Sequence, residues 1–203
     1  MTTNVMIVGV GGQGSLLASK LLGQVLLNKG YQVKVSEVHG MSQRGGSVVT
    51  YVRFGDKVYS PIIDKGEADC IISFETLEAA RYMENLKAGG TVIVNEQEID
   101  PMPVITGAAS YPENLLDKMR EAGAKVDAID ALSLALKAGS AKSANIVLMG
   151  RFSTYYKDIA EQDWLDALAQ CVKPQFLEMN KKAFALGRGE YSRSSPKKGG
   201  GPC

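Results

Sequence analysis

The most constraining feature of the chain is its opening pattern of apolar strand, glycine turn and apolar helix. Asn4 to Val8 is a continuous apolar run, as expected for a strand buried on both faces. Gly9-Val10-Gly11-Gly12-Gln13-Gly14 follows at once. Ser15 to Leu27 then places Leu16, Leu17, Leu21, Leu22, Val25 and Leu26 at helical spacing, and Gly30 closes the helix. Tyr31 to Ser36 reads as a second strand, completing a strand–turn–helix–strand unit.

The rest of the chain extends this alternation with one interruption. Glu37 to Gly46 is polar and glycine-rich. Ser47 to Phe54 alternates as a strand, Gly55-Asp56 turns, and Lys57 to Tyr59 reads as a returning strand. This predicts a β-hairpin inserted where a simple doubly wound fold would carry a helix. Strands are expected at Ala68 to Ser73, Thr91 to Val94 and Lys125 to Ile129, with helices at Thr76 to Leu86 and Pro112 to Glu121. From Ala131 the pattern is mostly helical, with helices at Ala144 to Tyr155, Gln162 to Cys171 and Gln175 to Leu186. The expected fold is α/β: a Rossmann-like, mostly parallel sheet with an inserted β-hairpin and a helical C-terminal region. Residues 1–187 form a single domain on this reading. Residues 188–203, rich in Gly, Ser, Pro, Lys and Arg, form a flexible tail or an arm that orders on a partner.

Charge and cysteine content narrow the function. Lys+Arg 23 against Asp+Glu 22 gives a formal net charge of +1, which offers no electrostatic footprint for nucleic acid. No apolar run is long enough to cross a bilayer, and the N-terminus lacks the charged start of a signal peptide. Cys70, Cys171 and Cys203 are too few and too scattered to hold an iron–sulfur cluster or a metal alone, and a reducing, cytoplasmic compartment is expected. Cys70 and Cys171 lie in apolar stretches, where thiols are usually inert.

Gly9-x-Gly11-x-x-Gly14 between strand and helix matches a dinucleotide fingerprint, and Glu37 sits near where an acid would meet ribose hydroxyls. An independent NAD- or FAD-dependent oxidoreductase is therefore one reading; glycines that only turn the chain and pack the helix are another. Gln13 within the turn, and the polar loop that Glu37 opens, point away from an ordinary nucleotide site. That loop, Ser36-Glu37-Val38-His39-Gly40-Met41-Ser42-Gln43-Arg44-Gly45-Gly46-Ser47, holds the chain's one histidine and an Arg before two glycines. Arg suits bidentate contact with phosphate or carboxylate. Leaving the carboxyl end of the second strand, the loop is expected beside the glycine turn, at the edge where open α/β sheets bind ligands. No Ser/His/Asp set or paired-carboxylate motif is recognisable. A third reading is a pure interaction protein, with Tyr155, Tyr156, Trp164 and Phe176 as anchors.

The glycine turn from Val8 to Gly14 and the loop from Ser36 to Gly46 together resemble the gamma-type domain of the pyruvate/2-oxoacid:ferredoxin oxidoreductase family. The His-Gly-Met-Ser-Gln-Arg-Gly-Gly form resembles its indolepyruvate branch. A third similar piece runs from Ala138-Gly139 through Asn145 to Gly150, and the resemblance spans about Val5 to Leu186. It implies a subunit, inactive alone, of an enzyme that oxidatively decarboxylates indolepyruvate and other aryl pyruvates to aryl-acetyl-CoA, carbon dioxide and reduced ferredoxin. Thiamine diphosphate and the iron–sulfur clusters would sit on a large (alpha) partner subunit, coenzyme A would be co-substrate, and ferredoxin would be reached through the complex. Carried over to the matched segments, Gly9, Gly11, Gly12, Gln13 and Gly14 would face the active-site crevice. Ser42, Gln43, Arg44, Gly45 and Gly46 would contact the large subunit, or an anionic group of thiamine diphosphate or coenzyme A.

Overall fold

The computed structural model describes residues 2–39 and 45–189. A six-stranded mixed sheet forms its middle. In chain order the strands are β1 (Thr2–Val10), β2 (Gln32–His39), β3 (Ser47–Gly55), β4 (Ala68–Ser73), β5 (Leu86–Asn95) and β6 (Lys125–Ile129). Their spatial order is β2-β3-β1-β4-β5-β6. β1, β4, β5 and β6 run parallel to one another, as the apolar runs predict. β3 is antiparallel to both β1 and β2.

The hairpin is therefore present but built differently from the expectation. Its arms are β2 and β3, paired from Gln32 with Gly55 to His39 with Val48. Lys57 to Tyr59 adopts no strand. β3 also pairs with β1 along its whole length, from Thr2 with Gly55 to Val10 with Ser47. It thus occupies the position beside β1 that β2 would take in a simple crossover unit. The short alternating run at Ser47 to Phe54 could not reveal that both its edges are paired: alternation reports faces, not neighbours.

Two helical layers cover the sheet. α1 (Ser15–Asn28), α5 (Ala131–Ala138), α6 (Ala144–Ser153), α7 (Glu161–Cys171) and α8 (Pro174–Gly189) share one core with Val5, Ile7, Ile72 and Ile93. α2 (Thr76–Arg81) and α4 (Leu115–Glu121), together with a four-residue turn of helix, α3 (Met102–Ile105), follow the strands on the other side, where Met6, Val8, Ile71 and Val92 form a second core. Val5 to Val8 are fully buried because β1 is covered on both faces, the reason its sequence shows no alternation.

α6 is buried from Asn145 to Ser153 and crosses α8 at two glycines. A Cβ at Gly150 would strike the Phe184 carbonyl, and one at Gly187 would strike the Val147 carbonyl, so the two backbones touch without side chains between them. Trp164, an anchor in the interaction-protein reading, is instead a core residue beside Phe152 and Phe184. Tyr156 packs on Phe54 and Phe152, whereas Tyr155 and Phe176 are exposed. α8 continues through Gly189, past the expected end of the domain at residue 187. Arg188 within it donates to Ser153 Oγ at 2.6 Å and pairs with Glu161, so it belongs to the packed domain. Among the described residues no helix is long and apolar enough to cross a membrane.

Candidate functional site

The glycine turn caps the carboxyl end of β1 and opens α1. Gly14, the residue before the helix, has φ +89°, a left-handed conformation that costs a side-chain-bearing residue about 1–2 kcal/mol. Its amide region carries no side-chain cap, and no acidic residue stands in the first turn of α1. The helix therefore presents an uncompensated positive dipole end toward the crevice. A concave space of about 420 Å3 lies there, lined by Gly11, Gly12, Gly14, Ser15, Leu16, Glu37 and Val48. Gly12, with φ +102°, has nothing within 4 Å of where a Cβ would stand, so its backbone is open to a ligand.

Three tethers hold the turn, one from each neighbouring segment. The first comes from the polar loop's root. Gly11 N–H donates to the Gly46 carbonyl at 2.8 Å, and Gly45 N–H donates to the Gly11 carbonyl at 3.4 Å. The loop thus does return to the glycine turn, as the strand topology predicts. Ser42, Gln43 and Arg44 lie outside the described residues, as do Gly40 and Met41.

The second tether is Gln13. Its Oε1 accepts from Val10 N–H at 2.7 Å; its Nε2 donates to the Phe74 carbonyl at 3.1 Å and to Gln97 Oε1 at 3.4 Å. Both ends of the carboxamide are thus engaged within the protein, joining the turn to the carboxyl ends of β4 and β5. Gly9 sits under this side chain, and a Cβ there would stand 2.8 Å from Gln13 Oε1 and 3.0 Å from Phe74. The turn's inner wall is made by Gly9 and Gln13, and its outer, ligand-accessible wall by Gly11, Gly12 and Gly14.

The third tether is Asn145, at the start of α6. Its Nδ2 donates to the Gly14 carbonyl at 3.1 Å, and its own Oδ1 accepts from Ile146 N–H at 2.8 Å. A Cβ on Gly14 would stand 2.5 Å from that Nδ2. All three segments that carry the family resemblance thus meet at one place.

Around them lies a buried polar network that the sequence did not single out. Asn95, closing β5, donates through Nδ2 to the Phe74 carbonyl and Gln97 Oε1, both at 3.2 Å, and accepts from Ala131 N–H at 2.9 Å. Glu75 caps α2, accepting from Glu78 N–H at 2.7 Å, Ile99 N–H at 3.2 Å and the Tyr111 hydroxyl at 2.5 Å. Burial, with the Glu75 carboxylate beside it, pushes the Tyr111 phenol up. Next to it Glu78 accepts from Ser47 Oγ, the first residue of β3 after the loop, and pairs with Arg81 at 3.2 Å. Burial raises the Glu78 carboxyl above its ordinary value, a shift that Ser47 and Arg81 oppose and Glu75 reinforces. The available signal was positional. Asn95 and Glu75 are polar residues placed just after apolar strand runs, the place in parallel sheets where ligand-facing groups collect.

The anion-binding capacity of the site comes from backbone alone among the described residues. Glu37 lines the same space from the β2 side. A phosphate or carboxylate therefore fits at the Gly12–Ser15 end, away from that carboxylate, while Glu37 is placed to accept from hydroxyls.

This combination of a mixed six-stranded sheet, a β2–β3 hairpin clasped to the glycine turn, and a helical C-terminal layer defines a known class. The model of the pyruvate ferredoxin/flavodoxin oxidoreductase family matches residues 4–190, and the chain belongs to that family. Within it, the chain is similar to indolepyruvate oxidoreductase subunit IorB. It is 45% identical to the protein of that name from Thermococcus kodakarensis over 190 residues, covering 91% of this chain and 93% of the relative. It is 36% identical to that from Archaeoglobus fulgidus over 199 residues, covering 97% and 98%. The fold is shared with a keto/oxoacid ferredoxin oxidoreductase gamma subunit from Geobacter sulfurreducens (TM-score 0.70, 22% identity, 95% of this chain and 99% of that one). It also matches a 2-oxoglutarate:ferredoxin oxidoreductase from Magnetococcus marinus (TM-score 0.73, 18% identity), covering 96% of this chain but 32% of that one.

Proposed function

We propose that the chain is the small subunit of a thiamine diphosphate- and ferredoxin-dependent 2-oxoacid oxidoreductase acting on indolepyruvate and other aryl pyruvates. The observation that carries this reading is the meeting of the three motif segments at the carboxyl edge of β1. Gly11 is clasped by Gly45 and Gly46, and Gly14 by Asn145. The similarity to indolepyruvate oxidoreductase subunits over nine-tenths of the chain supports the substrate class.

In this reading the large partner subunit carries thiamine diphosphate and the iron–sulfur clusters. Thiamine diphosphate, when bound there, supplies the carbanion chemistry of decarboxylation. This chain's residues orient and enclose. Gly11, Gly12, Gly14 and Ser15 offer backbone N–H groups to an anionic group of coenzyme A or thiamine diphosphate. Ser42, Gln43 and Arg44 add side-chain donors to the same group or to the large subunit. Gly9 and Gln13 hold the turn in shape, and Gly45 and Gly46 hold the loop to it. The chain has no activity alone and works in the cytoplasm, with ferredoxin taking electrons from the complex.

The test is to tag the chain in its native host and identify what purifies with it. A large partner with bound thiamine diphosphate, brown iron–sulfur absorbance and coenzyme A-dependent oxidation of aryl pyruvates is the expected result. A lone, colourless protein that binds NAD would overturn it. That outcome would give the turn and Glu37 the dinucleotide role instead.

A further inference from the structure

The segment after β5 differs from the rest of the surface in charge and in polarity. No Lys or Arg stands between Lys87 and Lys118, whereas Glu96, Glu98, Asp100, Glu113 and Asp117 all do, in a chain whose overall charge is nearly balanced. All five carboxylates are exposed. Among them α3 holds out two large apolar side chains, Met102 at 66% exposure, between the conformationally restricted Pro101 and Pro103, and Ile105 at 65%, two residues beyond. Two such side chains three residues apart on one turn of helix, within an acidic stretch, have the form of protein-interface anchors.

The segment is also bolted to the candidate site. Gln97 accepts from Gln13 of the glycine turn, and its carbonyl accepts from Thr76 N–H at 3.0 Å. Ile99 N–H and the Tyr111 hydroxyl both end on the buried Glu75 carboxylate. Its base therefore cannot shift without moving the turn's inner wall, and whatever grips its tip is held in register with the crevice.

We propose that the 96–117 segment is the docking element for the large subunit. Met102 and Ile105 insert into an apolar recess of that subunit, and the carboxylate rim faces Lys and Arg around the recess. This rests on the function proposed above. A second copy of this chain is a poorer occupant: two-fold pairing of the segment would set Glu96, Glu98, Asp100 and Glu113 against their own copies with no cation in the segment to offset them, Asp117 being paired with Arg120 at 2.7 Å. Of the large apolar side chains exposed elsewhere, Tyr59 at 87% exposure stands at the opposite end of the sheet, after the β3 terminus that pairs with Thr2.

The experiment measures binding of the full chain to its co-expressed large subunit by sedimentation, for the wild type, Met102→Asp/Ile105→Asp, Glu96→Lys/Glu98→Lys and Tyr59→Asp. The double aspartate variant is expected to keep the wild-type Tm, because both side chains are exposed, and to weaken association by about 30-fold or more, the scale of losing interface anchors. The lysine variant is expected to weaken it at low salt, with the difference shrinking as salt screens the rim. Tyr59→Asp should bind like the wild type. Full-strength binding by Met102→Asp/Ile105→Asp overturns the docking assignment while leaving the subunit reading intact. So does the finding that this variant only breaks self-association of the isolated chain. A wild-type chain that binds no large subunit overturns both.

Discussion

The side-chain amide of Asn145 donates to the carbonyl of Gly14 at 3.1 Å, across 131 residues of sequence. It joins the first turn of α6 to the start of α1, and Asn145 is itself almost fully buried. Asn145→Ala should therefore destabilise the protein by about 1–3 kcal/mol, the cost of leaving a buried carbonyl with one partner fewer. It should also lower activity of the assembled enzyme, because the glycine turn loses its outer brace. A denaturant midpoint unchanged from wild type would remove Asn145 from this role.

The crossing of α6 and α8 makes a sharper demand. Gly187→Ala places a methyl group against the Val147 carbonyl. Overpacking of this kind typically costs about 1–3 kcal/mol, and the absence of any side chain between the backbones leaves nothing flexible to yield. Thermal unfolding should show the loss, and Gly189→Ala, with nothing near its Cβ position, serves as the control.

Asp127 and Arg151 form a buried bidentate pair, at 2.6 Å from Nε and 2.5 Å from Nη2, with the Tyr155 hydroxyl adding a donor at 2.7 Å. Removing one partner strands the other charge in the interior. Asp127→Ala is expected to cost about 3–5 kcal/mol, and Tyr155→Phe about 1 kcal/mol. Urea unfolding of the two variants would separate these magnitudes, and equal small losses would show that the pair contributes little.

Glu78 gives a pH dependence of definite sign. Its carboxyl is raised in the folded protein, chiefly by burial, so the fold favours the protonated form. That contribution is fully present below the ordinary carboxylate value and is lost as pH rises through the raised folded value. Glu78→Gln, which cannot ionise, should therefore gain stability relative to wild type across that interval and hold the gain at neutral pH. The carboxamide of that variant still offers an oxygen to Ser47 Oγ, and loses both the attraction to Arg81 and the repulsion from Glu75. Tm measured against pH for both proteins tests this; a gap that widens toward low pH has the wrong sign.

For activity, Arg44→Ala in the reconstituted complex should depress turnover with coenzyme A and aryl pyruvate while assembly persists. Arg44→Lys should rescue it only in part, since the planar fork is lost. Unaltered kinetics in both variants would take Arg44 out of ligand contact.

The sequence announced the parallel half of the sheet clearly. β1 and β4 are apolar and largely buried, and β1, β4 and β6 lie where the sequence put them, while β5 has its buried half at the expected Thr91 to Val94 but starts earlier, at Leu86, where a helix end and a glycine turn were expected. It was less informative about β3. Antiparallel pairing on both edges leaves no mark in a strand's own residues, so Lys57 to Tyr59 read as the hairpin partner when β2 on one edge and β1 on the other are the partners. At the site, the glycines were visible because close approach and positive φ require them. Gln13 was visible too, but the direction of its side chain was not: a carboxamide in a turn can reach out to a ligand or in to a carbonyl, and only the positions of Phe74 and Gln97 decide. Glu75, Asn95 and Tyr111 were hidden because their partners come from segments distant in sequence.

The placement of β3 between β1 and β2 also makes the outer wing part of the site's frame. The two-stranded wing it forms with β2 meets the rest of the sheet only along β1, through the register that runs from Val10 with Ser47 to Thr2 with Gly55. The far strand is held in its turn by β3, from Gln32 with Gly55 to His39 with Val48, and it brings Glu37 to the crevice. A one-residue slip of β3 along β1 would turn every β3 side chain to the opposite face and carry Gly46 away from Gly11. The wing is a bracket in which two successive seams, β1 with β3 and β3 with β2, set where Gly46 and Glu37 meet the glycine turn.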